Sequence, residues 1–306
     1  MNPPRLPTVH GDWLLGQIRD RIPPSGEVRR VPLPGSTCSS GQDPMCPVRQ
    51  ALPRCQTPVV PRRRTKGRVV LACTVMWLLR RPGSEMTPIQ AAFFDVGETI
   101  VDETREYGTW ADWLGVPRHT FSAVFGAMIA RGGDYRETFQ YFKPGFDLAV
   151  ERERRAAAGQ PEAFGEENLY SDARPCLAAL KDQGLRVGLA GNQTARAEAI
   201  LRSLEFPVDV IGTSDGWGVE KPTAGFFDRV VAEACCAAEA VLYVGDRLDN
   251  DIGPAQEAGL ATALIRRGPW GYILQDPQVA ERCLFHLRSL AELPELIAKH
   301  NAAGAQ

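Results

Sequence analysis

Three observations predict an α/β protein built on a three-layer parallel-sheet core. Ala91 to Asp95 is an uninterrupted run of small and apolar residues that ends on a carboxylate. Such a run suits a strand buried on both faces of a parallel sheet. From Arg174 onward helical and strand patterns alternate, the rhythm of strand–helix–strand units with helices on both faces of the sheet. A second apolar run, Val241 to Val244, leads into Gly245-Asp246 and repeats the arrangement of strand followed by carboxylate.

The chain has 306 residues, 44% hydrophobic and 24% charged, the composition of an ordinary globular protein. A formal net charge of −2 argues against a general nucleic-acid binder. The eight cysteines form no C-x-x-C pair, which argues against a zinc or redox site and for a reduced, cytoplasmic protein. Residues 1–85 differ from the rest: they are basic, hold more than half of the prolines and carry almost no periodic apolar pattern. They are expected to be a disordered or spurious extension, because such a segment cannot bury enough surface to offset its ordering entropy. Val69 to Leu79, the apolar run within it, is too short to span a bilayer as a helix, so no membrane association is expected.

The compact domain is expected to begin near Met86. After the strand at Ala91, residues 103–170 show helical spacing: Tyr107 and Trp110, then Phe121, Val124, Phe125 and Met128. Pro117 suits the first turn of the second of these helices and Gly132-Gly133 ends it. Aromatic stripes at this spacing predict core packing, and the stretch reads as a small inserted α-helical unit. Polar residues near its turns (Arg118, His119, Arg131, Asp134, Tyr135, Arg136, Lys143) are candidates to face a ligand, although solvation is the commoner fate of such residues. Residues 86–102 and 171–300 then form the catalytic core. There, helices over Pro175 to Gln183, Thr194 to Leu204, Thr223 to Cys236 and Pro254 to Ala258 alternate with strands over Leu185 to Ala190, Val208 to Ile211, Val241 to Val244 and Ala261 to Ile265. A short final strand and a docking helix are expected in FHLRSLAELPELI.

Right-handed crossovers place the carboxyl end of every strand on one edge, where open α/β sheets bind ligands. Four loops meet there: Asp95 with Thr99, Gly191-Asn192, Lys221, and Asp246 with Asp249, Asn250 and Asp251. Thr99, four residues after Asp95, is placed to hydrogen-bond back and hold that carboxylate in one rotamer. Converging carboxylates repel unless a cation sits among them, and hard oxygen ligands suit Mg²⁺. A neighbouring lysine offsets charge on a transferring phosphoryl group.

FFDVGET, LAGNQ, GVEKPTAGFF and VGDRLDNDIGPAQEAG together resemble the haloacid dehalogenase-like (HAD) hydrolase superfamily, over Gln90 to about Leu296. The resemblance implies a Rossmann-like core with a helical cap over residues 103–170. It implies that Asp95 is a nucleophile forming an aspartyl-phosphate and that Lys221 stabilises Asp95 and the phosphoryl oxygens. It also implies that Asn192 orients the substrate, and that Asp95, Asp246, Asp251 and the Gly97 carbonyl hold or support Mg²⁺. Two positions depart from the family pattern. Gly97 replaces the Asp that protonates the leaving group, and general acid catalysis is worth about 10²–10⁴-fold. Glu98 and Asp102 lie nearby, but neighbouring side chains on an extended segment point in different directions. Gly191 replaces a phosphate-binding Ser or Thr. The leading expectation is Mg²⁺-dependent hydrolysis of a small phosphorylated metabolite. The alternatives are a carbon–halogen hydrolase, against which the intact GDRLDND motif counts, and a catalytically impaired binding or regulatory protein.

Overall fold

The computed structural model of the chain describes residues 87–304, so the reading of residues 1–85 as a separate extension lies outside the described residues. A six-stranded sheet runs in the order β3-β2-β1-β4-β5-β6, formed by β1 (Ala91–Phe94), β2 (Arg186–Gly191), β3 (Val210–Thr213), β4 (Val241–Gly245), β5 (Ala261–Ile265) and β6 (Phe285–Leu287). Every pairing is parallel. Phe94 stands opposite Leu189 on one side and Val244 on the other, so Asp95 emerges level with the ends of both neighbouring strands. The chain adds β2 and β3 to one side of β1 and β4 to β6 to the other, which makes the end of β1 the switch point where a crevice opens.

The apolar run of β1 is buried throughout, and its residues alternate between two cores. Ala92 and Phe94 join the cluster of Val187, Leu189, Leu242, Val244 and Ile297 on one face. Ala91 and Phe93 join Phe226, Phe227, Val241 and Tyr243 on the other. A fully buried Phe contributes about 1.5–3 kcal/mol, so β1 is held from both sides and the position of Asp95 is rigid.

Four helices follow β1 and form the inserted unit: α1 (Thr104–Leu114), α2 (Arg118–Ala130), α3 (Glu137–Phe142) and α4 (Leu148–Ala157). Their aromatic stripes form a cluster of their own, with Trp110, Phe121, Phe125, Phe139 and Phe146 joined by Trp270 from the other part of the chain. The remaining helices are α5 (Ala173–Asp182), α6 (Ala195–Ser203), α7 (Ser214–Trp217), α8 (Ala224–Ala234), α9 (Gly253–Glu257), α10 (Gly268–Ile273), α11 (Pro277–Ala280) and α12 (Leu293–Gly304). The expected helix and strand order of the core is found, with two shifts. β3 starts two residues later than the pattern suggests, because Val208 N–H donates to Phe206 O in a tight turn. The helix near Pro254 is preceded by a wide turn over Leu248–Ile252. The short helices α7, α10 and α11 carry no apolar period and were not expected. Among the described residues all four cysteines are free, and no helix is long and apolar enough to cross a membrane.

The helical unit buries two charged side chains, Glu151 and Arg155. Glu151 accepts from Trp113 Nε1 at 2.8 Å, Lys143 Nζ at 2.8 Å and Arg154 Nη1 at 2.6 Å. The bonds from Lys143 and Trp113 hold its pKa down at about 2 against the opposing effect of burial, with Arg154 adding to them. Its stabilising contribution is therefore complete above the unfolded carboxylate pKa and is lost as pH falls toward about 2. Glu151→Gln is expected to cost about 2 kcal/mol at neutral pH, the scale of hydrogen bonds to a charged group. In urea titrations the gap between wild type and variant should close as the pH is lowered through that range.

Candidate active site

Lys221 is the centre of the crevice. Its side chain is 1% exposed, and Nζ donates to Asp95 Oδ1 and to Asp251 Oδ1, both at 2.6 Å. The loop that carries it is pinned by Asn192: Lys221 N–H donates to Asn192 Oδ1 at 2.8 Å, and Asn192 Nδ2 donates to Lys221 O at 2.9 Å. Asp251 is fixed from a second side, since Arg247 N–H donates to its Oδ2 at 3.1 Å. Burial alone would lower the pKa of Lys221, but the carboxylates of Asp251 and Asp95 outweigh it and hold the ammonium well above lysine's usual range. Asp95 rises to about 6, because burial and the Asp251 charge together exceed the pull of Lys221.

Asp246 is buried beside them and held differently. One oxygen from each of Asp95, Asp246 and Asp251 lies within 4.8 Å of the others, and Asp246 Oδ2 is buried without a hydrogen-bond partner. Burial, with the charges of Asp251 and Asp95, raises Asp246 well above the carboxylate range. An unpartnered buried oxygen costs about 1–3 kcal/mol, more if charged. A divalent metal ion fits this donor set, since it would satisfy that oxygen and relieve the mutual repulsion.

Two expected roles change. Thr99 does not hold Asp95: its side chain is fully buried and Oγ1 has no partner. The amides of Thr99, Ile100 and Val101 all converge on Val96 O, and this tight loop turns Thr99 into the interior. The loop is anchored instead through its backbone, with Arg267 Nη1 donating to Thr99 O at 2.9 Å and its other nitrogen bonded to Asp172. Asn192 does not present a free amide, because both of its polar atoms are engaged by the Lys221 peptide groups. Gly191 also has a geometric reason: a Cβ there would lie 2.8 Å from Asp95 Oδ1, so a side chain would crowd the carboxylate.

A cavity of about 630 Å³ opens over these residues. Gly97 lines it with a carbonyl that receives no hydrogen bond among the described residues. Of the polar turn residues in the helical unit, Asp134, Tyr135 and Arg136 reach the cavity wall. Arg118 pairs with Asp112, Lys143 with Glu151, and His119 and Arg131 are exposed. Glu103, Tyr107 and Arg152 also line it; helical spacing marked Tyr107 only as a core residue, and nothing in the sequence marked Glu103 or Arg152. Trp270 closes one side, edge-on to Phe125 at 5.2 Å and to Tyr135 at 5.8 Å, and so joins the helical unit to the sheet.

Residues 89–259 match the model of the haloacid dehalogenase-like hydrolase family. The chain is 33% identical over 131 residues to a glyceraldehyde 3-phosphate phosphatase of Methanocaldococcus jannaschii, covering 42% of this chain and 56% of that protein. It thus spans little more than half the length of that relative. It is 30% identical over 174 residues to a ribulose-1,5-bisphosphate 5-phosphatase of Halopiger xanaduensis, covering 53% of this chain and 73% of that protein. A solved HAD-hydrolase from Bacillus subtilis, bound to magnesium, shares the fold with a TM-score of 0.53 and 19% identity, over 69% of this chain and 99% of its own.

Lys221→Met is expected to destabilise the protein by about 3–5 kcal/mol in urea titrations, since it strands two buried carboxylates without their cation. A loss below about 1 kcal/mol would show that the neighbouring carboxyls are neutral and the ion pairs are not formed.

Proposed function

The chain belongs to the haloacid dehalogenase-like hydrolases, and from that premise we propose that it is a Mg²⁺-dependent phosphatase of a small phosphorylated sugar or related metabolite. One observation carries this reading: Lys221 binds Asp95 and Asp251 while Asp246 Oδ2, an arm's length away, has no partner. With the lysine shared by Asp95 and Asp251, Asp246 Oδ2 is the donor in the group suited to a divalent cation. A hydrolase acting on carbon–halogen bonds without a metal has no use for that vacant oxygen. The named relatives act on a three-carbon and a five-carbon sugar phosphate, and the cavity is of a size for such molecules.

In this mechanism Asp95 is the nucleophile. Its carboxylate attacks phosphorus, an Asp95–phosphoryl bond forms as the ester bond breaks, and water then releases inorganic phosphate and restores the carboxylate. Lys221 holds Asp95 in one orientation and faces the phosphoryl oxygens with a fixed positive charge. Asp251 and Asn192 are positioning residues, one holding the ammonium and the other the peptide of Lys221. Asp95 and Asp246, with Asp251 in support, would hold Mg²⁺, whose charge would let an anionic phosphoryl group approach a carboxylate. Residues 103–170 act as a cap that excludes water and selects the substrate through Tyr135, Arg136 and Arg152.

A panel of phosphorylated metabolites assayed with and without Mg²⁺ tests the reading, with halide release as the competing outcome. Asp95→Asn is expected to abolish phosphate release, and turnover surviving it would overturn the mechanism. Calorimetry should show Mg²⁺ binding to the wild type that weakens at least tenfold in Asp246→Asn, and equal affinity would remove Asp246 from the metal site.

A further inference from the structure

The turn after β1 folds back on itself. Gly97 and Val101 form a parallel bridge, and Glu98 adopts a left-handed conformation with φ 52°. As a result Glu103, six residues downstream in the sequence, returns to Gly97. A Cβ built on Gly97 would lie 2.6 Å from Glu103 Oε1, 2.8 Å from its Cδ and 3.2 Å from its Oε2. The carboxyl group of Glu103 therefore stands in the volume that a side chain at position 97 would enter. It lines the same cavity as Asp95 and Asp246.

The other carboxyls of this segment are committed elsewhere. Glu98 Oε2 accepts from Tyr170 OH at 2.5 Å. Asp102 Oδ1 accepts from Thr104 N–H at 2.8 Å and so starts α1. Glu103 occupies the cap position of α1, yet its side chain makes no cap hydrogen bond. Among the described residues it forms no ion pair or side-chain hydrogen bond either. A glutamate with no structural partner, placed beside the reacting carboxylate, is free to serve the substrate.

The geometry points to Glu103 as the general acid and base of the hydrolysis, supplying from the start of α1 the carboxyl that Gly97 lacks. The assignment rests on the phosphatase reading above. In the first half-reaction Asp95 forms its bond to phosphorus, the ester P–O bond breaks, and the departing oxygen takes the proton of the Glu103 carboxyl to leave as an alcohol. In the second, the Glu103 carboxylate takes a proton from the water that attacks phosphorus. The Asp95–phosphoryl bond then breaks, giving inorganic phosphate and the starting carboxylate. No oxidant or further reactant is needed. By the same geometry, a side chain at position 97 would have to displace the Glu103 carboxyl.

The test compares an alkyl phosphate with an aryl phosphate, whose leaving oxygen needs little protonation. Glu103→Gln is expected to lower kcat/KM, which reports the first half-reaction alone, by about 10²-fold or more on glycerol phosphate, within the usual range for general acid catalysis, and by less than about tenfold on 4-nitrophenyl phosphate. Glu103→Ala should behave alike, and the double variant Gly97→Asp with Glu103→Ala should recover part of the alkyl activity. Gly97→Asp alone should recover nothing and should slow the enzyme, since the two carboxyls compete for one space. An equal loss of kcat/KM on both esters, or on neither, would overturn the role of Glu103 and leave the phosphatase reading standing. No Asp95-dependent phosphate release from either ester by the wild type would overturn both.

Discussion

The shared ammonium of Lys221 is the interaction on which the site depends. Two carboxylates buried side by side repel, and at the effective dielectric of a protein such a pair would cost several kcal/mol and shift its protons. Placing Nζ at 2.6 Å from both Asp95 and Asp251 offsets that repulsion, but only if the lysine is itself held. Asn192 does this through two hydrogen bonds to the Lys221 peptide groups, which joins the loop after β2 to the loop before α8. Tyr243 OH extends the same bracing, donating to Ala190 O at 2.7 Å across β1. The charge arrangement is thus a property of four loops, after β1, after β2, before α8 and after β4, and no one of them could keep it alone.

The sheet makes this possible because β1 sits at its centre. Packing on both faces leaves Asp95 no freedom to withdraw, and the parallel register brings Gly191 and Asp246 to the same level. The close approach has a consequence for residue choice. Small residues at 97 and 191 leave room for carboxylate oxygens, which is where the chain departs from its family. Loss of side chains there opens space that Glu103 fills at one position and that Asp95 itself uses at the other.

The helical unit after β1 is a second small core, built mainly of aromatic rings. Its aromatic rings pack edge-on and stacked among themselves, and Trp270 ties them to the sheet at a single edge. Arg247 lies over that indole at 4.7 Å while forming an ion pair with Asp249 at 2.8 Å. Arg247 also donates its backbone N–H to Asp251, so the acidic loop and the cap hinge on the same residue.

Much of this was legible before any coordinates. Uninterrupted apolar runs specify buried parallel strands, helical spacing marks the aromatic face of α2, and the carboxylates after β1 and β4 announce the ligand edge. These signals are local, so the residues that produce them also reveal them. Thr99, Asn192 and Glu103 were beyond that kind of reading. Whether Thr99 faces Asp95 or the interior depends on how three amides share the Val96 carbonyl. Whether Asn192 meets a ligand or a peptide depends on a loop 29 positions away. Glu103 looks like an ordinary acidic residue at a helix start, and only the folded turn carries it back to Gly97. The sequence by itself determined the layers, the succession of strands and helices along the core and the identity of the acidic edge. Tertiary structure decided which side chains at that edge are free, because partnership between polar groups is settled by sub-ångström approach between segments that the chain order keeps apart.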